Sequence, residues 1–192
     1  MYVRKRIRKP AAIVGLAIAL CWAGAAAAHD RFDPQKYPKG GFAPVTNATY
    51  AKECGACHFA YLPGLLPARS WHALLEKTNS HFGESLSLSP ETLRDLDAYL
   101  VANAGDKTDY DGPSQFYRYL KDETTPLRIT DLPMMHRNHK VVRNVMQTNS
   151  TMKVRSLTNC QDCHTTAATG SFANRDLIVP GLTKMVGSHG LF

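Results

Sequence analysis

Nowhere in the 192 residues do apolar and polar positions alternate for long enough to build a sheet, and no strand–helix alternation suggests a βαβ unit. An excess of one charge is missing too, once the N-terminus is set aside. The whole chain has 23 Lys and Arg against 16 Asp and Glu, but Arg4, Lys5, Arg6, Arg8 and Lys9 precede an uninterrupted apolar and small-residue run from Ala11 to Ala28. That run ends in Ala26-Ala27-Ala28 before His29, the pattern of a secretory signal with A-x-A cleavage. Removing residues 1–28 leaves 18 basic against 16 acidic residues, a net +2, so a nucleic-acid partner has no support. An uncleaved membrane anchor is the competing reading, since this run could just span a bilayer. Alanine and glycine dominate its second half, which favours cleavage and export to the periplasm. Cysteine is equally sparse. Of five, Cys21 follows the large Leu20, does not read as a lipoprotein cysteine, and leaves with the signal.

The four cysteines that remain all lie in two pentapeptides. These are Cys54-Gly55-Ala56-Cys57-His58 and, about a hundred residues later, Cys160-Gln161-Asp162-Cys163-His164. Each is C-x-x-C-H, the attachment signal for a c-type haem. Two cysteines three apart bring their sulfurs near enough to form thioethers with both vinyl groups of one porphyrin. The histidine that follows offers its imidazole to the iron as proximal ligand. Zinc ribbons place their pairs roughly 15–20 residues apart and need no histidine after both. A thioredoxin-like motif would want a βαβ setting, and structural disulfides would leave His58 and His164 unexplained. Two covalent haem c groups are therefore expected. With two porphyrins in 164 mature residues, much of the apolar core would be cofactor, and folding would depend on its attachment.

In order, residues 29–46 hold Pro34, Pro38, Gly40, Gly41 and Pro44 and read as an extended arm. Asn47 can cap a short helix that presents the first motif. The proline-rich stretch Phe59–Pro67 reads as a non-helical loop, over a porphyrin face or packed on protein core. Ala68–Lys77 has helical spacing, with Trp71, Leu74 and Leu75 on one face. Ser89-Pro90-Glu91 starts a second helix with a buried stripe of Leu93, Leu96, Tyr99 and Leu100, ended by Gly105. Asp106–Gly112 is a polar turn, and Gln115–Leu120 a short helix or turn. Thr130-Asp131 can cap one helix from Met134 through Met146. Residues 156–165 present the second motif, and the rest is irregular. The class is mainly α with long irregular loops, a small two-lobed protein with one haem per lobe. The lobes would be residues 29–106 and 107–192.

Six further histidines compete for the second axial positions. His29 and His189 lie near the termini and His72 on a solvated helix face, ordinary surface placements. His81 stands at a helix end before Phe82-Gly83, where it can reach the haem held at His58. His139 precedes the second motif by 21 residues, and His136 would share its helical face.

The run Glu53–His58, followed by Tyr61-Leu62-Pro63-Gly64-Leu65-Leu66-Pro67-Ala68-Arg69-Ser70-Trp71, resembles the dihaem cytochrome c family of exported bacterial proteins. So do His81-Phe82-Gly83, Pro126–Thr130 with His139-Lys140, and the segment from Cys160 to Pro180. The resemblance covers roughly residues 45–180 and implies two bis-histidine haems, with His81 and His139 as distal ligands. Met134-Met135-His136 departs from the family pattern, which keeps His136, or a methionine, open as the second distal ligand.

An electron carrier is the first functional reading, because two closed irons can only pass electrons. The resemblance implies as redox partner a membrane b-type cytochrome or a small oxygen-binding c-type haem protein, met by a monomer. The alternative is a dihaem enzyme, a peroxidase or small-molecule reductase with one open iron. A small dihaem subunit of a larger periplasmic reductase is the third.

Overall fold

The computed structural model describes residues 41–150, 152–154 and 156–180. The signal read over residues 1–28, most of the N-terminal arm with His29, and His189 lie outside the described residues. Among the described residues six α-helices follow one another: α1 (Ala48–Gly55), α2 (Ala68–Leu75), α3 (Pro90–Ala102), α4 (Asp111–Phe116), α5 (Pro133–Asn138) and α6 (Lys140–Thr148). Short 3-10 turns and irregular chain join them. Among the described residues there is no strand, only two isolated bridges, His81 with Glu84 and His164 with Leu177. No described helix is long and apolar enough to cross a membrane.

The first helices start where local chemistry starts them. The Asn47 side chain accepts the Tyr50 N–H at 2.8 Å to cap α1, and Ser89 caps α3 through Thr92, with Pro90 as first helical residue. α2 and α3 pack against each other, burying Trp71, Leu96 and Leu100. Between α1 and α2, Pro63–Leu65 forms one 3-10 turn, a regular element in a stretch expected to hold none. That stretch is the centre of the protein core: Leu62, Leu65 and Leu66 are buried with Phe42, Tyr50, Ile129, Leu132 and Met135. Each such leucine contributes roughly 1.5–3 kcal/mol by leaving water. Its carbonyls are satisfied from outside, by Trp71 Nε1 on Pro63 (2.7 Å) and the Tyr117 hydroxyl on Gly64 (2.8 Å).

Three boundaries differ from expectation. α3 ends at Ala102, three residues before Gly105, whose N–H instead donates to the Leu66 carbonyl. The short helix after it is α4, which begins at Asp111, since Pro113 suits a first helical turn and not a later one, and runs to Phe116. The single helix expected through Met134–Met146 is two, α5 and α6, with Pro133 opening α5 and His139 (φ −105°, ψ 12°) between them. The break removes the common helical face expected for His136 and His139.

A second, smaller cluster joins Met152 and Val179 to Val142, Val145, Met146, Cys163 and Leu177.

Candidate haem sites

At the first motif, α1 carries Cys54, half-buried, and the chain leaves the helix so that Cys57 is exposed. Burial, then the neighbouring Glu53, pushes the Cys54 thiol up to about 11. His58 Nδ1 lies 2.8 Å from the Phe59 carbonyl oxygen. A carbonyl only accepts, so Nδ1 carries the proton and Nε2 keeps its lone pair for a metal. Opposite stands His81. Glu84 N–H donates to its carbonyl at 3.0 Å, closing a tight turn whose central residues Phe82 (φ +53°) and Gly83 (φ +106°) are both left-handed. That pair of positive φ values marks a type I′ turn, unusual for a phenylalanine. The turn presents the His81 ring to His58: the centres are 6.4 Å apart and the planes 20° from parallel. Burial, then His58 and Arg128, lowers the His81 pKa and so favours its neutral, ligating form. Outside the turn, the Arg128 guanidinium lies 3.9 Å over the Phe82 ring.

The second motif sits on a 3-10 turn, Cys160–Asp162. His164 N–H donates to the Cys160 carbonyl at 2.8 Å, and Ile178 N–H to Cys163 at 2.8 Å, so two segments hold the motif. Burial pushes the Cys160 thiol up to about 11. It also drives the His164 imidazole down to about 4, with His139 a lesser cause. Facing His164 at 6.1 Å between ring centres is His139. Its Nδ1 lies 3.1 Å from the Met135 carbonyl, again leaving Nε2 available, and burial lowers its pKa first of all. His164 Nδ1 is buried without a partner. Both rings open on a cavity of about 480 Å³ walled by Cys160, Cys163 and apolar side chains including Phe42, Phe116, Phe172 and Val142.

These dimensions fit haem. Nitrogen–metal bonds of about 2 Å, plus roughly 1 Å from each nitrogen to its ring centre, put two trans imidazoles about 6 Å apart. Both observed separations match. The other histidines are placed differently. His72 is exposed, with Nδ1 2.9 Å from Asp97 and Nε2 3.6 Å from Glu76. His136 is exposed on α5, and Met134 lines the cavity.

Three contacts gave no sequence signal. The Tyr61 ring lies 4.9 Å from that of His58, and its hydroxyl donates at 2.9 Å to the carbonyl of Thr158, two residues before Cys160. Phe42 N–H donates to the Gly170 carbonyl at 2.9 Å. Gly170 has φ +89°, and a Cβ there would stand 1.9 Å from the Phe42 oxygen. Partners separated by such lengths of chain cannot be read from local pattern.

The chain is similar to known proteins. The family model described as dihaem cytochrome c matches residues 50–172. Among solved structures, a dihaem cytochrome c from Rhodobacter sphaeroides is 42% identical, with a TM-score of 0.58, over 68% of this chain and 99% of its own. A structure of DHC purified from Rhodobacter sphaeroides is 38% identical, TM-score 0.50, over 70% and 99%. A dihaem cytochrome c from Shewanella baltica is 32% identical, TM-score 0.56, over 70% and 94%. No curated protein sequence matches. The cofactors are two haem c groups, one on Cys54 and Cys57 and one on Cys160 and Cys163, and the chain belongs to the dihaem cytochrome c family.

Proposed function

We infer that this protein is an exported electron carrier whose two haem irons are each closed by two histidines, His58 with His81 and His164 with His139. The observation that carries the reading is the pair of facing imidazoles, 6.4 and 6.1 Å between ring centres. A haem iron held by two imidazoles supplies one-electron transfer and offers no open position. The residues around it act to keep that state. Phe59 and Met135 carbonyls fix the tautomers of His58 and His139, and burial keeps His81, His139 and His164 neutral and able to ligate. Among the described residues no carboxylate is hydrogen-bonded to any of the four rings.

The basic leader and apolar run support export to the periplasm. The working partner is then another redox protein, either a membrane b-type cytochrome or a small oxygen-binding c-type haem protein, met by a monomer with one haem in each half of the chain.

Visible spectra of the oxidised, reduced and carbon monoxide-treated reduced protein test the reading. Low-spin bands unchanged by carbon monoxide are expected. A high-spin charge-transfer band, or a Soret shift for about half the haem, would open one iron and favour the enzyme.

A further inference from the structure

We propose that the rim of the second haem site is a docking surface for a redox protein with an acidic face, and that electrons cross between the two proteins there. The proposal rests on the electron-carrier reading and adds the side of the molecule and the charge of the partner.

The first observation is charge. Residues 41–128 hold 8 basic and 11 acidic residues, whereas residues 129–180, which carry every element of the second site from α5 onward, hold 6 basic and 3 acidic. Residues 41–180, with 14 basic and 14 acidic residues, are thus divided into an acidic part of −3 and a basic part of +3. Propionates added by each haem lower both parts alike and leave the difference in place.

The second is placement. Lys140 stands between His139 and Val141, which both line the second cavity, and Arg175 lines it directly. Lys153 lies between Met152 of the second cluster and the cavity residue Val154. Arg137, Lys140 and Lys153 are exposed, and among the described residues none of the three has a carboxylate within ion-pair reach.

Exposed apolar side chains accompany these charges. Val141 is 45% exposed and Ile178 61%, and the backbone of Ile178 is bonded to Cys163. An apolar centre beside the haem with a cationic rim is the composition of a weak, charge-steered encounter surface. The exposed Glu91 and Asp95 of α3, and the rest of the acidic excess of residues 41–128, repel the same partner. The exposed Phe82 of the first site is already covered by Arg128.

The test uses the holoprotein in its ferrous state and cupric plastocyanin, an acidic copper protein, as probe. One electron leaves the cytochrome and reduces Cu(II) to Cu(I), with no proton or ligand exchanged. The second-order rate is followed by stopped flow at low and high salt for Lys140→Glu/Lys153→Glu and, at equal charge change, for Lys77→Glu/Arg94→Glu on the acidic part. The second-site variant is expected to be slower by about tenfold at low salt, the difference closing at high salt, with the other variant within about twofold of the parent. Equal slowing of both variants, or none in either, overturns the proposal. Unchanged low-spin spectra in both variants show that the sites are intact. Carbon monoxide binding by the parent would instead defeat the carrier reading itself, so the two failures are distinguishable.

Discussion

Tyr61 does two things with one side chain. Its ring lies against His58, the histidine of the first motif, while its hydroxyl holds the Thr158 carbonyl just ahead of the second motif. Its own carbonyl accepts the Tyr50 hydroxyl at 2.6 Å, so the residue is fixed from both ends. Burial, with Cys160 a lesser cause, raises the Tyr61 pKa far above neutrality, and the hydroxyl therefore remains a donor. Tyr61→Phe keeps the ring and loses only the bond across the two motifs. A net cost of about 1 kcal/mol is expected, which lowers Tm by roughly 2–4 °C in a protein of this size, with both haem spectra unchanged. Thermal melts followed at the Soret band check this. An unaltered melt would mean that water replaces the hydroxyl without loss and that the two motifs are held together by other contacts.

α2 and α3 carry a pH dependence of their own. His72 on α2 and Asp97 on α3 are joined at 2.9 Å, and the hydrogen bond to Asp97 raises the His72 pKa. A histidine with a raised folded pKa stabilises fully below its unfolded value of about 6.5, and the contribution is lost as pH rises through the folded value. The pair is exposed, so the effect is small and falls with salt. Melts of the parent and His72→Gln are expected to differ at pH 6 and to converge by pH 9. A difference that grows with pH would reverse the sign and remove the pair as its source. The helices themselves were largely legible because their signals are local: Asn47, Pro67 and Ser89-Pro90 sit where the chain begins to turn. The division of α5 from α6 was not. No glycine or proline marks His139; instead its ring and its own N–H both donate to the Met135 carbonyl, and that competition turns the residue toward His164. The Phe59–Pro67 loop was ambiguous for a similar reason. Whether leucines cover a porphyrin or fill a core depends on distant donors such as Trp71 and Tyr117, which no window of nearby residues contains.

The two haem sites rest on unequal amounts of protein. Among the described residues, the larger core holds twelve buried side chains from Phe42 to Met135, of which Phe42, Leu65, Ile129 and Met135 also line the second cavity of about 480 Å³; the satellite cluster buries Met152 and Val179. Space of that size cannot close without moving its walls, and an apolar void costs the contacts its lining should make. The second porphyrin is therefore structural for its surroundings, while the first is attached to a core that side chains already fill. Cys160→Ser/Cys163→Ser should yield a protein with one haem per chain by pyridine haemochrome assay. Its amides in α1–α3 are expected to stay protected from hydrogen exchange while those from α6 to Leu177 lose protection. Cys54→Ser/Cys57→Ser should keep α2 and α3 protected, because Leu62, Leu66, Leu96 and Leu100 do not depend on the cofactor for burial. α5 is the point where the two responses meet: Met135 is packed in the first core, yet its carbonyl orients His139 of the second site. If that link made the halves one cooperative unit, both variants would lose protection everywhere and to the same extent, and the unequal burial would have no thermodynamic expression.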